Sequence, residues 1–238
     1  MNARQQVAQS ANALPTSFLD GVRAASPIVL GYLPIGFAFG VLARTTGLSV
    51  AEVGLMSLLV YAGSAQFIGA SMIGAAASAP AIISTTFLVN LRHLLMSTAL
   101  VPSLRENAPW QNGLLAYGIT DETFALNTAI LQGRPASRRY MAGVHLTSHS
   151  AWMVASIVGA LAGEMAGHTE ALGLDFALPA MFIGLLVPNL QTEERKPRFV
   201  AATTAAVMAV AVLLATAGSS WSIIIATLVA ATVGVIFA

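Results

Sequence analysis

Midway along the apolar run 81–101, the stretch NLRHLL sets Asn90, Arg92 and His93 close together. A charge held near the centre of a bilayer costs roughly 2.5–3.5 kcal/mol even on the permissive insertion scale. Arg92 therefore needs a counter-charge or a wet cavity. Asp121 and Glu122, in TDETF, lie well inside another apolar segment, and Asp175 stands near the start of a third. A buried pair between Arg92 and either Asp121 or Glu122 is the expectation. Such a pair either locks two helices together or leaves Arg92 to receive an anionic substrate group. His93 is offset by about 100° from Arg92 on a helix, whereas Asn90 and His93, at i and i+3, share a face. The imidazole of His93 either caps a neighbouring carbonyl or relays protons near neutral pH. With Asp121 and Glu122 it completes the set of proton-coupling candidates.

His145 and His149 stand at i and i+4 on one helix face, a spacing that suits two metal ligands. Together with Asp121 and Glu122 they define one alternative, a divalent-metal or other small-solute transporter. HLTSH lacks the glutamate of an HExxH zinc protease. The chain has no cysteine, and no GxSxG elbow supplies a nucleophile. No P-loop argues for ATP hydrolysis. The expectation is therefore no enzyme, no resident metal and no cofactor.

Two further patterns bear on how a site would be opened. In YAGSAQFIGAS, the residues Gly63, Ser64, Ala65 and Gln66 form a small and polar interruption of an apolar run. Small residues let helices approach closely, or let a helix unwind so that its backbone faces a ligand. LPIGF at 33–37 is echoed by LPAMF at 178–182. Proline in mid-segment removes a backbone donor and kinks or breaks the helix. Paired proline-interrupted segments in two halves point to a transporter site built from inverted repeats. On that reading the first and sixth segments are broken helices, with breaks at Pro34, Gly36 and Pro179, and Gly63 interrupts the second. Chance similarity is the competing account of the echo. GxxxG spacings at Gly36/Gly40 and Gly159/Gly163 signal close helix contact.

The elements that must carry these groups follow from composition. Hydrophobic residues make up 56% of the 238-residue chain and charged residues only 9%; mean hydropathy is +0.76. A soluble domain is about 25% charged, so most of this surface must face lipid. With roughly 20 residues per span, the sequence is read as an all-α polytopic membrane protein of about eight transmembrane segments, or seven. They run at 24–43, 53–76, 81–101, 113–131, 140–162, 172–190, 199–216 and 220–237. Residues 1–22 form a polar, cytoplasmic N-terminal segment without a cleavable signal, and 23–238 form one transmembrane domain. The runs are long and do not alternate, which excludes a β-barrel. A net charge of +1 gives no argument for nucleic acid.

Orientation follows from the basic residues in short loops. With eight spans and the N-terminus inside, Arg4, Arg23, Arg134, Arg138, Arg139, Arg195, Lys196 and Arg198 are cytoplasmic, and Arg44 and Arg105 are outside. If the fourth segment only dips in and returns, an N-out arrangement leaves Arg4 and Arg23 outside instead. Both arrangements place the loops 132–139 and 191–198, and the C-terminus, in the cytoplasm.

In this order, LPIGFAFGVLA, YAGSAQFIGA, NLRHLLMSTAL and TDETFAL resemble the motifs of the AzlC-type branched-chain amino acid permeases. The resemblance covers about residues 20–130. It implies an inner-membrane secondary exporter of leucine, isoleucine, valine and related amino acids such as methionine. It also implies a small, separately encoded membrane partner of the AzlD type. The site expected from the residues lies between segments one to four, with segment six as a further candidate. The substrate carboxylate meets Arg92 or donors freed near Pro34 and Ser64, with Asn90 and Gln66 alongside. The ammonium meets Asp121 or Glu122. Phe37, Phe67 and Phe124 form an apolar wall. A non-transporting scaffold subunit is the remaining alternative.

Overall fold

The computed structural model describes residues 14–165, which lie within the unit Met1–Leu178. The expectations that concern Asp175, Pro179, the LPAMF echo, the 191–198 loop, the last three segments and the C-terminus fall outside the described residues.

Eight helices occupy the described part, and no strand interrupts them. A short helix α1 (Phe18–Ala24) opens with a capping box. The Ser17 hydroxyl accepts from the Asp20 amide at 3.1 Å, and the Asp20 carboxylate accepts from the Ser17 amide at 3.0 Å. These bonds satisfy two amides that the first helical turn leaves without partners. Helix α2 (Ser26–Thr45) follows. Then come α3 (Val50–Leu59) and α4 (Gly63–Gly74), the long α5 (Ala79–Leu104), α6 (Pro109–Tyr117), α7 (Asp121–Leu131) and the long α8 (Arg138–Met165). Ser49 and Glu52 form a second capping box at the start of α3.

Among the described residues, three helices are long and apolar enough to cross a membrane: Ser26–Thr45, Ala79–Leu104 and Arg138–Gly163. They correspond to the first, third and fifth apolar runs of the sequence. The second and fourth runs are each divided in two, as α3 and α4 and as α6 and α7. Leu30, Phe87, Leu95 and Leu161 are among the large apolar side chains left exposed. That outward face suits hydrocarbon, where only internally hydrogen-bonded helices or closed barrels persist.

One expectation is corrected here. Pro34 and Gly36 do not break the first segment; α2 runs through both. Leu30, Leu33 and Pro34 are exposed, so the ring and the carbonyl it leaves unpaired face away from the helix packing. Gly36 is buried against α8, where a Cβ would press on the Cβ of Ala155 at 2.9 Å. Its role is close approach. The same holds one turn on. A Cβ on Gly40 would overlap the Ser156 carbonyl, and one on Gly159 would overlap the Phe37 carbonyl. The GxxxG spacings thus meet at Gly40 and Gly159, and among the described helices α8 packs along α2 more extensively than any other pair does.

Two apolar clusters follow. One gathers Tyr32, Phe39, Phe67 and Trp152 from α2, α4 and α8. The other gathers Met96, Leu100, Leu115, Ile119, Leu131 and Tyr140 from α5 to α8. The two helix interruptions lie beside them.

Candidate functional site: two helix interruptions around Arg92

The first interruption spans residues 60–62. Val60 closes α3, Tyr61 adopts a left-handed backbone with φ 44°, and α4 begins at Gly63 with no side-chain cap. The second spans residues 118–120. Gly118 closes α6 and Thr120 caps α7. This second gap satisfies its own backbone. The Thr120 hydroxyl accepts from the Thr123 amide at 3.3 Å, and the Thr123 hydroxyl accepts from the Thr120 amide at 2.8 Å. The Thr123 hydroxyl also donates to the Gly118 carbonyl at 2.9 Å. Gly118 is required there, because a Cβ would collide with the His145 ring.

Arg92 of α5 reaches both new helix N-termini. Its Nη1 pairs with Asp121 Oδ2 of α7 at 2.7 Å, and its Nη2 donates to Ser64 Oγ of α4 at 2.5 Å. Both paired side chains stay about a quarter exposed, at 27% and 24%, so the pair borders an accessible space. Glu122 is held separately. Its Oε2 accepts from the Tyr32 hydroxyl at 2.7 Å, and the same hydroxyl lies 2.7 Å from Thr120 Oγ1. Asp121 and Glu122 both occupy the first turn of α7, where a negative charge complements the helix dipole. The cluster therefore sets two carboxylates against one guanidinium, and the guanidinium is engaged by Asp121.

The other sequence candidates separate. Gln66 is fully buried; it accepts from Trp152 Nε1 at 2.9 Å and donates to Ser57 Oγ at 3.2 Å. Asn90 and His93 are half-buried, and Asn90 Oδ1 and His93 Nε2 have no partner among the described residues. Phe67 packs edge-on against Phe39 at 5.4 Å in the first cluster. Phe124 borders the second cluster, and the Phe37 backbone abuts Gly159. The structure thus puts Phe67 and Phe124 in different clusters rather than in one wall. Gly63 stands at the first interruption, against the Trp152 ring. His145 and His149 share a face of α8 but meet different partners. His145 Nε2 lies 3.3 Å from Asn127 Nδ2, and His149 Nε2 lies 3.1 Å from the Ser57 carbonyl. Among the described residues, no group of three or more His, Asp or Glu side chains converges as a metal site would require.

Tyr32 and Thr120 are the participants that sequence reading passed over. Tyr32 had a legible signal. It lies four residues before Gly36 and eight before Gly40, on the face those glycines bury. Its hydroxyl was therefore bound to meet a polar partner inside.

The profile of the AzlC family, described as AzlC protein, matches residues 27–166. An uncharacterized membrane protein of Archaeoglobus fulgidus is 35% identical over 179 residues, 73% of this chain and 76% of its own. The inner membrane protein YgaZ of Escherichia coli is 33% identical over 188 residues, 75% of each chain. The branched-chain amino acid transport protein AzlC of Bacillus subtilis is 29% identical over 171 residues, 71% of this chain and 66% of its own. No solved structure matches. The matched region contains both helix interruptions and every residue of the Arg92 cluster, and the chain belongs to the AzlC family of helical membrane proteins.

Proposed function

We propose that this protein is a membrane transporter, not an enzyme, and that it exports branched-chain and related hydrophobic amino acids across the cell inner membrane. The observation that carries the reading is the meeting of two helix N-termini, one guanidinium and two carboxylates at membrane depth. Ionisable groups there mark solute pathways, and half-helix N-termini favour anionic substrate groups. The first turn of α4 has no side-chain cap, and Arg92 donates to Ser64 beside it. A substrate carboxylate is bound at this end of α4. The ammonium is bound at Glu122, the carboxylate that Arg92 does not engage. A small aliphatic side chain lies against the surrounding apolar residues. Such a slot separates leucine from valine weakly, since one methylene is worth only about 1–3 kcal/mol.

The relative named a branched-chain amino acid transport protein supports the substrate class. The relative named an inner membrane protein supports the location. In this reading the divided segments α3–α4 and α6–α7 are interrupted spans. The chain has about eight spans, with its C-terminus and the 132–139 and 191–198 loops in the cytoplasm. It works with a small AzlD-type membrane subunit, and coupling to protons draws on Glu122, Asp121 and His93.

The test is efflux of labelled leucine, isoleucine, valine and methionine from preloaded cells, with and without this protein and its small partner. Faster efflux that Arg92→Ala abolishes is expected. Unchanged efflux of the whole panel refutes the assignment.

A further inference from the structure

The two interruptions differ in how their backbone groups are satisfied. The gap at 118–120 is capped from within by Thr120 and Thr123. The gap at 60–62 contains Val60, Tyr61 and Ala62, none of which has a side chain suited to capping it. In a continuous helix the amides of Tyr61 and Ala62 would serve the carbonyls of Ser57 and Leu58. Neither amide makes that bond here. An unpaired carbonyl away from water is costly, so the ends of this gap must find partners elsewhere.

They find them in trans. His149 Nε2, from α8, lies 3.1 Å from the Ser57 carbonyl and can only donate to it. The Tyr117 hydroxyl, from the last residue of α6, donates to the Leu58 carbonyl. The same two side chains also enclose Tyr61. The His149 ring lies 4.2 Å from the Tyr61 ring, and the Tyr117 ring lies 6.2 Å from it; Tyr117 and His149 meet edge-on at 5.5 Å. Tyr61 is the residue in the left-handed region, a conformation that a bulky side chain keeps only when its surroundings enforce it. Three residues downstream, Ser64 meets Arg92. Three residues beyond Tyr117, Thr120 meets Tyr32 and caps the turn that carries Asp121 and Glu122.

We propose that Tyr117 and His149 are positioning residues for transport: they hold the 60–62 gap open from outside and so place the N-terminus of α4 against that of α7. Tyr117 joins the end of one half-helix to the end of the other. The two substrate-facing N-termini are therefore set by one shared contact rather than independently. His149 fixes the same gap to the long α8, which acts as the fixed reference. The inference rests on the substrate site proposed above, but the geometry of the gap does not depend on which solute is carried.

The test uses the full chain, purified with its small partner and reconstituted in vesicles. Tyr117→Phe removes only the donor and keeps the ring. His149→Leu removes the donor, while His149→Gln replaces it with an amide. Loss of one such bond is expected to raise the KM for leucine about tenfold, with a smaller change in kcat. His149→Gln should return KM close to the wild-type value. Hydrogen exchange read on the amides of residues 61–65 should speed up in Tyr117→Phe and His149→Leu and return in His149→Gln. Wild-type KM and exchange in both donor-less variants overturns the proposal. So does a His149→Gln variant as impaired as His149→Leu, because packing of the ring would then be its only role. If the wild-type protein carries none of the amino acids, the substrate assignment fails instead. The exchange measurement, which needs no substrate, still decides the role of the gap.

Discussion

Replacing Arg92 separates a structural lock from a working transport site. Its Nη1 lies 2.7 Å from Asp121 Oδ2. With charge centres about 4 Å apart and an effective dielectric near 20, Coulomb's law gives about 4 kcal/mol. Removing one partner of a buried pair costs about 3–5 kcal/mol, because the other charge is left uncompensated. Exposures of 27% and 24% let water relieve part of that, so Arg92→Gln is expected to destabilise the protein by about 3 kcal/mol. The stranded carboxylate would share the first turn of α7 with a second one, Glu122. Adding Asp121→Asn removes the stranded charge and leaves two amides able to bond each other. The double variant should regain most of the lost stability, yet it should not transport. The assay pairs thermal unfolding in detergent with leucine efflux from vesicles, across the four members of the double-mutant cycle. Two results would refute the reasoning. If Arg92→Gln alone unfolds at the wild-type temperature, the pair does not hold α5 to α7. If the neutral double variant exports leucine at the wild-type rate, the pair is a lock and the scaffold reading gains.

Tyr32→Phe leaves Glu122 without its hydroxyl donor; leucine efflux should fall about tenfold while Arg92→Gln-type destabilisation is absent, as read by the same two assays. Gly159→Ala drives a methyl into the Phe37 carbonyl, and backbone cannot yield as a side chain can, so at least about 1–3 kcal/mol and most of the folded yield should be lost. Gly31→Ala, with nothing near its Cβ position, should fold as well as wild type or slightly better, which size-exclusion profiles would check. The Ser17 hydroxyl, then the Ser17 amide, hold the Asp20 carboxyl below its ordinary value of 3.8. A lowered folded-state value means that the contribution is complete above about pH 4 and fades as pH falls through the lowered value. The unfolding temperatures of wild type and Asp20→Asn should therefore differ at neutral pH, and the difference should shrink as pH falls through the lowered value.

Much of this protein was legible in its residues. Low charge and long apolar runs leave no soluble alternative, because nothing in the inventory could clothe a water-facing surface. Arg92 and the TDETF carboxylates were a forced pairing for the same reason: a charge at depth must be answered, and few partners were on offer. That Gly36, Gly40 and Gly159 mark close helix contact also followed from spacing, since backbones approach only where side chains are missing. What the sequence left open was settled by three-dimensional placement. Asp121 and not Glu122 takes Arg92, because the direction of a side chain from a helix's first turn depends on where that turn begins. Thr120 caps the turn and thereby sets it. The interruption falls at 60–62 and not at Pro34, because a proline facing away from the packing can be absorbed in a helix, whereas Tyr61 is held in a left-handed turn by Tyr117 and His149 from distant parts of the chain. The spacing of His145 and His149 suggested a shared ligand, but spacing says only that two rings share a face. Their partners, Asn127 and the Ser57 carbonyl, belong to other helices, and only the packing of α8 against those helices assigns one ring to each.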